Sequence, residues 1–290
     1  MPSVNPSPAR EMFRVADRVA KHFAKGAVVA ALIPVDYTRT REIPLLLETS
    51  GILARRDEPL TILDIGSPQI LALTLCSLSP HWKVRYINPY EPELRDLTCK
   101  QSLLGIPNLD IARGDITDPA SLSSVGPFDY VFSCSVWEHI RPESDGDIVA
   151  SANVSRLLKP SGRFIFSVPF YRTAFNEYVD GGVYGAEGGG AKSFFQRFYD
   201  PPSLNRRVVE PSGLTLESAR YLGERYCSPR ITRRISSLVD TGFRRFLLGR
   251  LFALISRLCM VEAATPGDLK KPYLAVCSLR KPESIGGSTL

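Results

Sequence analysis

Short apolar runs alternate with helical stretches between residues 60 and 170, and this alternation limits the possible folds more than any other feature. The runs are TILDIG (61–66), KVRYIN (83–88), LDIA (109–112), FDYVFSCSV (128–136) and GRFIFSVPF (162–170). Strands and helices that alternate with short connections predict a doubly wound, mostly parallel sheet. The uninterrupted apolar run at 128–136 suits a strand buried on both faces. The sequence therefore predicts a Rossmann-like α/β fold.

The regions flanking this core have different patterns. Apolar residues recur at helical spacing over 9–25, and a second helix is expected within 38–55. After residue 170 the sequence predicts a strand at 214–221, a basic amphipathic helix at about 230–262 and a last strand at 272–280. The predicted regions are an N-terminal helical extension (1–57), the Rossmann-like core (58–170), a Gly- and aromatic-rich lid with a strand (171–230), and the basic helix with the final core strand (231–290).

Composition excludes several classes of protein. The 290 residues carry a net charge of +6, but Lys and Arg are dispersed except between Arg225 and Arg257, so no nucleic-acid partner is expected. None of the six cysteines is in CxxC spacing, so neither a metal site nor a disulfide framework is predicted. The N-terminus lacks the apolar segment of a signal peptide, and no run approaches 18 apolar residues. The chain is expected to be cytoplasmic.

Polar residues follow the predicted strands at their carboxyl ends, where open α/β sheets bind ligands. The first strand ends in Asp64-Ile65-Gly66-Ser67, and the glycine permits close approach of a ligand to the backbone. Neither GxGxxG nor a P-loop motif is present. The absence of GxGxxG disfavours one candidate function, that of an NAD-dependent oxidoreductase. The other candidates are Asn88 and Glu91 after the second strand, Asp115 and Ile116 after the third, and Ser133 at the end of the fourth.

This series of motifs resembles that of class I S-adenosylmethionine-dependent methyltransferases, in particular the branch that acts on small molecules. The resemblance covers residues 60–170, and the strand at 272–280 is similar to the family's antiparallel last strand. Its most specific part is the pairing of FDYVFSCSVWEHI with LLKPSGRFIFSVP at the separation seen in the family. The other matching segments are TILDIG, INPYEPEL and ARGDITD.

The resemblance implies S-adenosylmethionine as cofactor and assigns roles to these residues. Asp64 and Gly66 would contact the methionine portion, and Asn88 or Glu91 the ribose, while Ser67 would also contact the cofactor. The adenine would lie against Asp115 with Ile116, and Ser133 would line the opposite wall together with the start of WEHI.

Two departures from the family pattern stand out. Gly66-Ser67-Pro68-Gln69 replaces the usual GxGxG, and proline fixes φ and removes an N–H, so a loop of another shape must hold the cofactor. Asn88 replaces the usual Asp or Glu, and a neutral hydrogen bond is weaker than a charge-assisted one. Weaker cofactor binding, or recognition by Glu91, would follow. A non-catalytic, methyltransferase-like binding module is therefore the alternative function.

Two residues are candidates for catalysis. His139, after the fourth strand, could accept a proton from the methyl acceptor or could merely orient a loop. Tyr171, after the fifth strand, could touch the acceptor or belong to ordinary aromatic packing, and Glu138 is interpreted as a helix-start or loop hydrogen-bonding group. The fourth strand is not followed by the NPPY-type motif of those family members that methylate amino groups, which weakly favours methylation at oxygen.

Two further segments bear on the acceptor. The glycine-rich stretch 181–190 is either a floppy insertion or a lid that excludes water. The basic segment 230–260 is either a packed helix or a peripheral membrane contact that meets a lipid-linked acceptor. The expected partner is a small-molecule or lipid/glycan-linked acceptor, and the oligomeric state stays open.

Overall fold

The computed structural model of the chain describes residues 7–23, 35, 37–123, 125–181, 192–226 and 254–283. Its strands are β1 (Thr61–Ile65), β2 (Lys83–Asn88), β3 (Leu109–Arg113), β4 (Phe128–Cys134), β5 (Leu158–Pro169), β6 (Phe175–Asp180), β7 (Lys192–Phe198), β8 (Thr215–Glu224), β9 (Met260–Ala263) and β10 (Pro272–Arg280). Its α-helices include α1 (Pro8–Phe23), α2 (Arg39–Thr49), α3 (Ile70–Leu78), α4 (Glu91–Leu104), α5 (Gly146–Val154), α6 (Pro201–Leu204) and α7 (Glu210–Ser212).

Eight of these strands form one sheet in the order β3-β2-β1-β4-β5-β10-β8-β9. The first five are parallel, and β10 runs antiparallel to both β5 and β8. The strand order reverses between β1 and β4, so the switch point of the sheet lies there. The predicted Rossmann-like, mostly parallel sheet with an antiparallel last strand is confirmed.

Apolar side chains on both faces of the sheet form the core. On one face, Met12, Val15 and Val19 of α1 recur at helical spacing and pack, nearly fully buried, with α3. Each such side chain stabilises the fold by about 1.5–3 kcal/mol. On the other face the Trp137 ring lies 4.8 Å from the Phe164 ring. The N-terminal helices thus share the apolar core of the sheet.

The predicted basic helix is wrong at its C-terminal end. Residues 227–253 lie outside the described part of the chain, and residues 254–259 are helical. From Met260 to Ala263 the chain is strand β9, which pairs antiparallel with β8. The free edge of β8 offers unpaired backbone groups, and Met260 is buried against it, so pairing outweighs continuation of the helix. The predicted membrane contact of segment 230–260 stays a prediction.

The β6–β7 hairpin is joined to the core through a buried ionic network. Arg197 of β7 is 3% exposed and donates to the carbonyl oxygens of Ile140, Pro142 and Glu143 at 2.8–2.9 Å. Its guanidinium also lies 3.6 Å from the Asp147 carboxylate. This network fixes the chain that follows β4. The predicted lid at 181–190 falls, except for Gly181, outside the described residues, and its function stays a prediction.

Asp147 is the fully satisfied centre of this network. Its carboxylate is completely buried and accepts from the Tyr199 hydroxyl at 2.7 Å and from Arg207 at 2.6 and 2.8 Å.

No helix of the described residues is long and apolar enough to cross a membrane.

Asp147→Asn is expected to lower the free energy of unfolding by about 3–5 kcal/mol, because it removes the buried counter-charge of Arg197, which is 3% exposed, and of Arg207, which is 20% exposed. Urea unfolding followed by circular dichroism measures it. Glu217→Gln is the control, because it breaks a half-exposed pair with Arg163 and should cost about 0–1 kcal/mol. Equal losses in the two variants would contradict the role of Asp147.

Candidate functional site

Four neighbouring strands bring the predicted binding residues to one edge of the sheet. Asp115 follows β3, Asn88 ends β2, Gly66 follows β1 and Ser133 lies at the end of β4. Since adjacent strands lie 4.7–4.9 Å apart, this row spans about 14 Å from β3 to β4. The hydroxyl of Ser133 donates to the Ile65 carbonyl oxygen at 3.3 Å across the switch point. The row borders the crevice in which such sheets bind ligands.

Asp64 is a buried acid with an unused oxygen. Its side chain is 0% exposed, and Oδ1 accepts from the Ser67 N–H at 3.3 Å. Oδ2 has no hydrogen-bond partner among the described residues. Burial raises the pKa of Asp64 to about 7, which the bonds from Ser67 only partly offset. An isolated buried carboxylate is costly, so a cationic group at Oδ2 would be stabilising.

Gly66 leaves bare backbone between the ends of β2 and β4. Its φ is +62°, a left-handed conformation that favours glycine. A Cβ there would lie 3.5 Å from Val136 Cγ1 and 3.9 Å from Asn88 Nδ2. The glycine is therefore required by the backbone and keeps the space between these side chains open.

The loop Ser67-Pro68-Gln69 is held from both sides. The Cys134 N–H donates to Ser67 Oγ at 2.9 Å, which ties the loop to β4. On the other side Gln69 donates to Glu93 Oε2 at 2.9 Å and accepts from Lys100 Nζ at 2.6 Å. Lys100 is only 2% exposed, so this contact is shielded from water. Side-chain hydrogen bonds thus fix a loop that differs from the family's glycine-rich one.

The two candidate ribose contacts lie in different surroundings. Asn88 is 7% exposed, and its Oδ1 accepts from the Tyr90 N–H at 2.9 Å while its Nδ2 donates to Tyr86 Oη at 3.1 Å. Glu91 is exposed in the first turn of α4 and lines a cleft of about 360 Å³ between α4 and β3, with Thr98 and Arg113. Asn88 therefore belongs to the edge row beside Gly66, and Glu91 faces the outer cleft.

Asp115 and Ile116 shape the turn after β3. Asp115 Oδ1 accepts from both the N–H and the hydroxyl of Thr117 at 2.8 Å. Ile116 is 5% exposed in the apolar core, and its carbonyl oxygen accepts from Asn153 at 2.9 Å. The carboxylate of Asp115 is half-buried at the edge of the sheet.

Sequence reasoning missed a charged cluster over the ends of β4 and β5. Glu42, in the first turn of α2, is fully buried, and its Oε1 accepts from the hydroxyls of Ser135 and Ser167 at 2.6 Å. Arg39 forms an ion pair with the same carboxylate and donates to Ser135 Oγ at 2.6 Å. The signal in the sequence is a pair of charges directly before the apolar run of α2, which alone does not reveal the contacts to β4 and β5.

Glu138 and His139 lie next to this cluster. Glu138 is 1% exposed, and its Oε2 has no hydrogen-bond partner among the described residues. Burial, and then the charge of Glu42, raise the pKa of Glu138 to about 8. His139 Nδ1 lies 2.7 Å from the Phe195 carbonyl oxygen and its Nε2 lies 3.7 Å from Glu138 Oε1. Since a carbonyl oxygen only accepts, Nδ1 carries the proton of the neutral ring and Nε2 its lone pair.

Tyr171 follows β5, the strand next to β4 in the sheet. Its side chain is 45% exposed and meets the Phe175 ring edge-on at 5.8 Å. Its backbone N–H donates to the Tyr199 carbonyl oxygen at 2.8 Å. The contact of Tyr171 with an acceptor stays a prediction.

The described residues contain no group of three or more His, Cys, Asp or Glu that could hold a metal ion.

Comparison with known proteins identifies the fold. No protein-family model and no curated protein matches the chain in sequence. Similar solved structures include the [4+2]-cyclase SpnF, with 14% identity and a TM-score of 0.53 over 97% of this chain and 98% of that one. Coclaurine N-methyltransferase bound to N-methylheliamine and SAH has 11% identity and a TM-score of 0.53, over 83% and 73% of the two chains.

A third similar structure is an S-adenosylmethionine-dependent methyltransferase from Clostridium acetobutylicum. It has 15% identity and a TM-score of 0.51, over 86% of this chain and 93% of that one. These likenesses agree with the strand order and with the antiparallel β10. The chain has the fold of class I S-adenosylmethionine-dependent methyltransferases.

Proposed function

We propose that the chain is a methyltransferase that uses S-adenosylmethionine and acts on a small-molecule or glycan/lipid-linked acceptor, at oxygen. The observation that carries the proposal is the row of polar and glycine residues along the carboxyl edge of β3, β2, β1 and β4. Its length of about 14 Å suits an extended nucleoside with an amino-acid side chain. The cofactor would supply a methyl group on a positively charged sulfur.

The residues of the row fit the parts of this cofactor. Asp64 Oδ2, buried and without a partner among the described residues, is an acceptor for the ammonium of the methionine portion. Gly66 and Ser67 would contact the same portion, with Ser133 on the opposite wall. Asn88 would hold the ribose, because it borders Gly66, whereas Glu91 faces the outer cleft. Asp115 with Ile116 would hold the adenine.

His139 is the proposed proton acceptor for the hydroxyl of the methyl acceptor. Its Nε2 carries the lone pair of the neutral ring, and the carboxyl of Glu138 lies 3.7 Å away, close enough to stabilise a protonated ring. Most of the acceleration would come from holding acceptor and cofactor in line. Tyr171 stays a second candidate for contact with the acceptor.

Fold likeness supports this activity without fixing it. One similar structure is a methyltransferase with SAH and an N-methylated compound bound, and another is a [4+2]-cyclase. We propose oxygen because β4 is followed by Ser135-Val136-Trp137 and not by the NPPY-type motif of family members that methylate amino groups.

A non-catalytic binding module is the second candidate function. The observation that favours it is the bond from Cys134 N–H to Ser67 Oγ, which closes the loop against β4. Titration calorimetry with S-adenosylmethionine and SAH separates the two. We expect both to bind, and no heat at high protein concentration would contradict the enzyme. NADH displacing SAH in a thermal-shift assay would instead indicate an oxidoreductase.

Gly66→Ala is expected to weaken SAH binding about tenfold or more, because a Cβ enters the space that the cofactor approaches. Gly51→Ala is a matched control, since Gly51 has a φ of +68° and open space around its Cβ position. Both variants should lose about 1 kcal/mol of stability from backbone strain. Calorimetry should show weaker SAH binding for Gly66→Ala alone, and equal affinities of the two variants would argue against a cofactor at Gly66.

Asp64→Asn is expected to stabilise the cofactor-free chain above neutral pH. The pKa of Asp64 rises from 3.8 to about 7 on folding. Between these values the folded chain keeps a proton that the unfolded chain has released, so the free energy of unfolding falls as pH rises to 7. The loss is on the order of 4 kcal/mol. Urea unfolding should show a larger advantage of Asp64→Asn at about pH 8 than at about pH 5.

The same substitution should weaken SAH binding. As Asp64 ionises, the affinity of the wild type should rise up to about tenfold between pH 6 and pH 8, whereas that of Asp64→Asn should not follow. If Asp64→Asn is more stable than the wild type but binds SAH more weakly, the carboxylate contributes to binding at the expense of stability. Unchanged affinity would show that Asp64 does not meet the cofactor.

A further inference from the structure

Three buried groups form a directed chain of hydrogen bonds from β2 to the loop after β1. The amide of Asn88 donates from Nδ2 to Tyr86 Oη at 3.1 Å, and the hydroxyl of Tyr86 donates to the Ser67 carbonyl oxygen at 3.1 Å. Oδ1 of Asn88 accepts from the Tyr90 N–H at 2.9 Å. The chain therefore connects a candidate ribose contact with the loop that replaces the glycine-rich one.

The groups at the two ends of this series of hydrogen bonds fix which partner donates in each bond. The Tyr90 N–H can only donate, so the oxygen of the Asn88 amide faces it and the NH₂ group faces Tyr86. The Ser67 carbonyl oxygen can only accept, so the single hydroxyl proton of Tyr86 points to it. Tyr86 Oη is thus left to accept, and only a donor at position 88 satisfies it.

Burial makes the chain costly to break. Tyr86 and Ser67 are each 1% exposed, so water cannot readily replace a lost partner. Burial, together with the nearby Asp64 carboxylate, raises the pKa of Tyr86 well above its usual value, so the hydroxyl stays protonated. Hydrogen bonds in such a chain also polarise and strengthen one another.

We propose that Tyr86 is a positioning residue that couples the ribose contact Asn88 to the cofactor loop through Ser67, and that this coupling requires an amide at position 88. The proposal rests on the proposed function. A carboxylate at 88 has no proton to donate, and it would draw the Tyr86 proton away from the Ser67 carbonyl oxygen. The loop would then lose its anchor on β2. Asn88 keeps one amide hydrogen and one oxygen lone pair for ribose hydroxyls.

A double-mutant cycle on SAH affinity tests the coupling. As a single substitution, Asn88→Asp is expected to weaken SAH binding about tenfold, because the buried carbonyl oxygen of Ser67 loses its bond from Tyr86. Tyr86→Phe should weaken binding similarly. In the Tyr86→Phe background Asn88→Asp should not weaken SAH binding, since the bond to Tyr86 is already absent and a carboxylate is the stronger acceptor for a ribose hydroxyl. Equal effects of Asn88→Asp in the two backgrounds would overturn the proposal.

Tyr130→Phe is the matched control, because Tyr130 is also a buried tyrosine, but its hydroxyl accepts from Arg55 and Arg163 at the opposite end of the sheet. It should leave SAH affinity and the effect of Asn88→Asp unchanged. An equal loss of affinity in Tyr130→Phe and Tyr86→Phe would reduce Tyr86 to general stability and overturn the proposal.

Hydrogen exchange separates failure of this proposal from failure of the proposed function. The backbone N–H groups of residues 66, 67 and 69–71 should exchange faster in Tyr86→Phe than in the wild type or Tyr130→Phe, without any ligand. If the wild type binds no SAH, the proposed function is wrong and the exchange alone decides whether Tyr86 holds the loop. If SAH binds but exchange in 66–71 is unchanged by Tyr86→Phe, Tyr86 does not position the loop.

Discussion

The structure depends on the parallel alignment of β1 to β5, which brings all their carboxyl ends to one edge. Each strand there must pass into a loop, so backbone groups leave the sheet ladder and need other partners. Around the switch point side chains supply them: Ser67 accepts from Cys134, Ser133 donates to Ile65, and Tyr86 donates to Ser67. The fold thus creates a polar crevice, and the side chains decide how much of it stays open to a ligand.

Buried carboxylates divide into two kinds by their partners. Asp147 is as buried as Asp64, but it accepts from a tyrosine and an arginine, and its burial contributes to holding the β6–β7 hairpin. Asp64 and Glu138 each keep one buried oxygen without a hydrogen-bond partner among the described residues. Burial raises the pKa of both, to about 7 and about 8. Unlike Asp147, these two groups bear the cost of burial without full pairing, and the proposed role of Asp64 in binding would offset that cost through a cationic ligand group.

The sequence predicts those parts of the molecule that depend on local pattern. The bounds of β2 and β10 agree with the predicted runs, because these apolar runs of strand length are bounded by turn residues. The site contacts of Glu42 join residues 93 and 125 positions apart, and no periodicity encodes such a distance. Strand β9 was predicted as helix for a related reason, since pairing with the free edge of β8 outweighs local helical spacing. Only the row of residues at strand ends could be predicted, because parallel topology fixes it.

The two departures from the family pattern, the Ser67-Pro68-Gln69 loop and Asn88, are physically one feature. A loop with fewer glycines has less conformational freedom, and this one is held by the Tyr86 hydroxyl of β2, the Cys134 N–H of β4 and the Lys100 ammonium of α4. The contact from β2 comes through Tyr86, whose hydroxyl donates its single proton to the loop when the group at position 88 donates to the hydroxyl and does not compete for that proton. An amide satisfies this requirement and a carboxylate does not. A substitution that sequence comparison alone interprets as a weakened cofactor contact thus has a structural cause in the loop beside it, and the loss of the charge does not imply loss of binding.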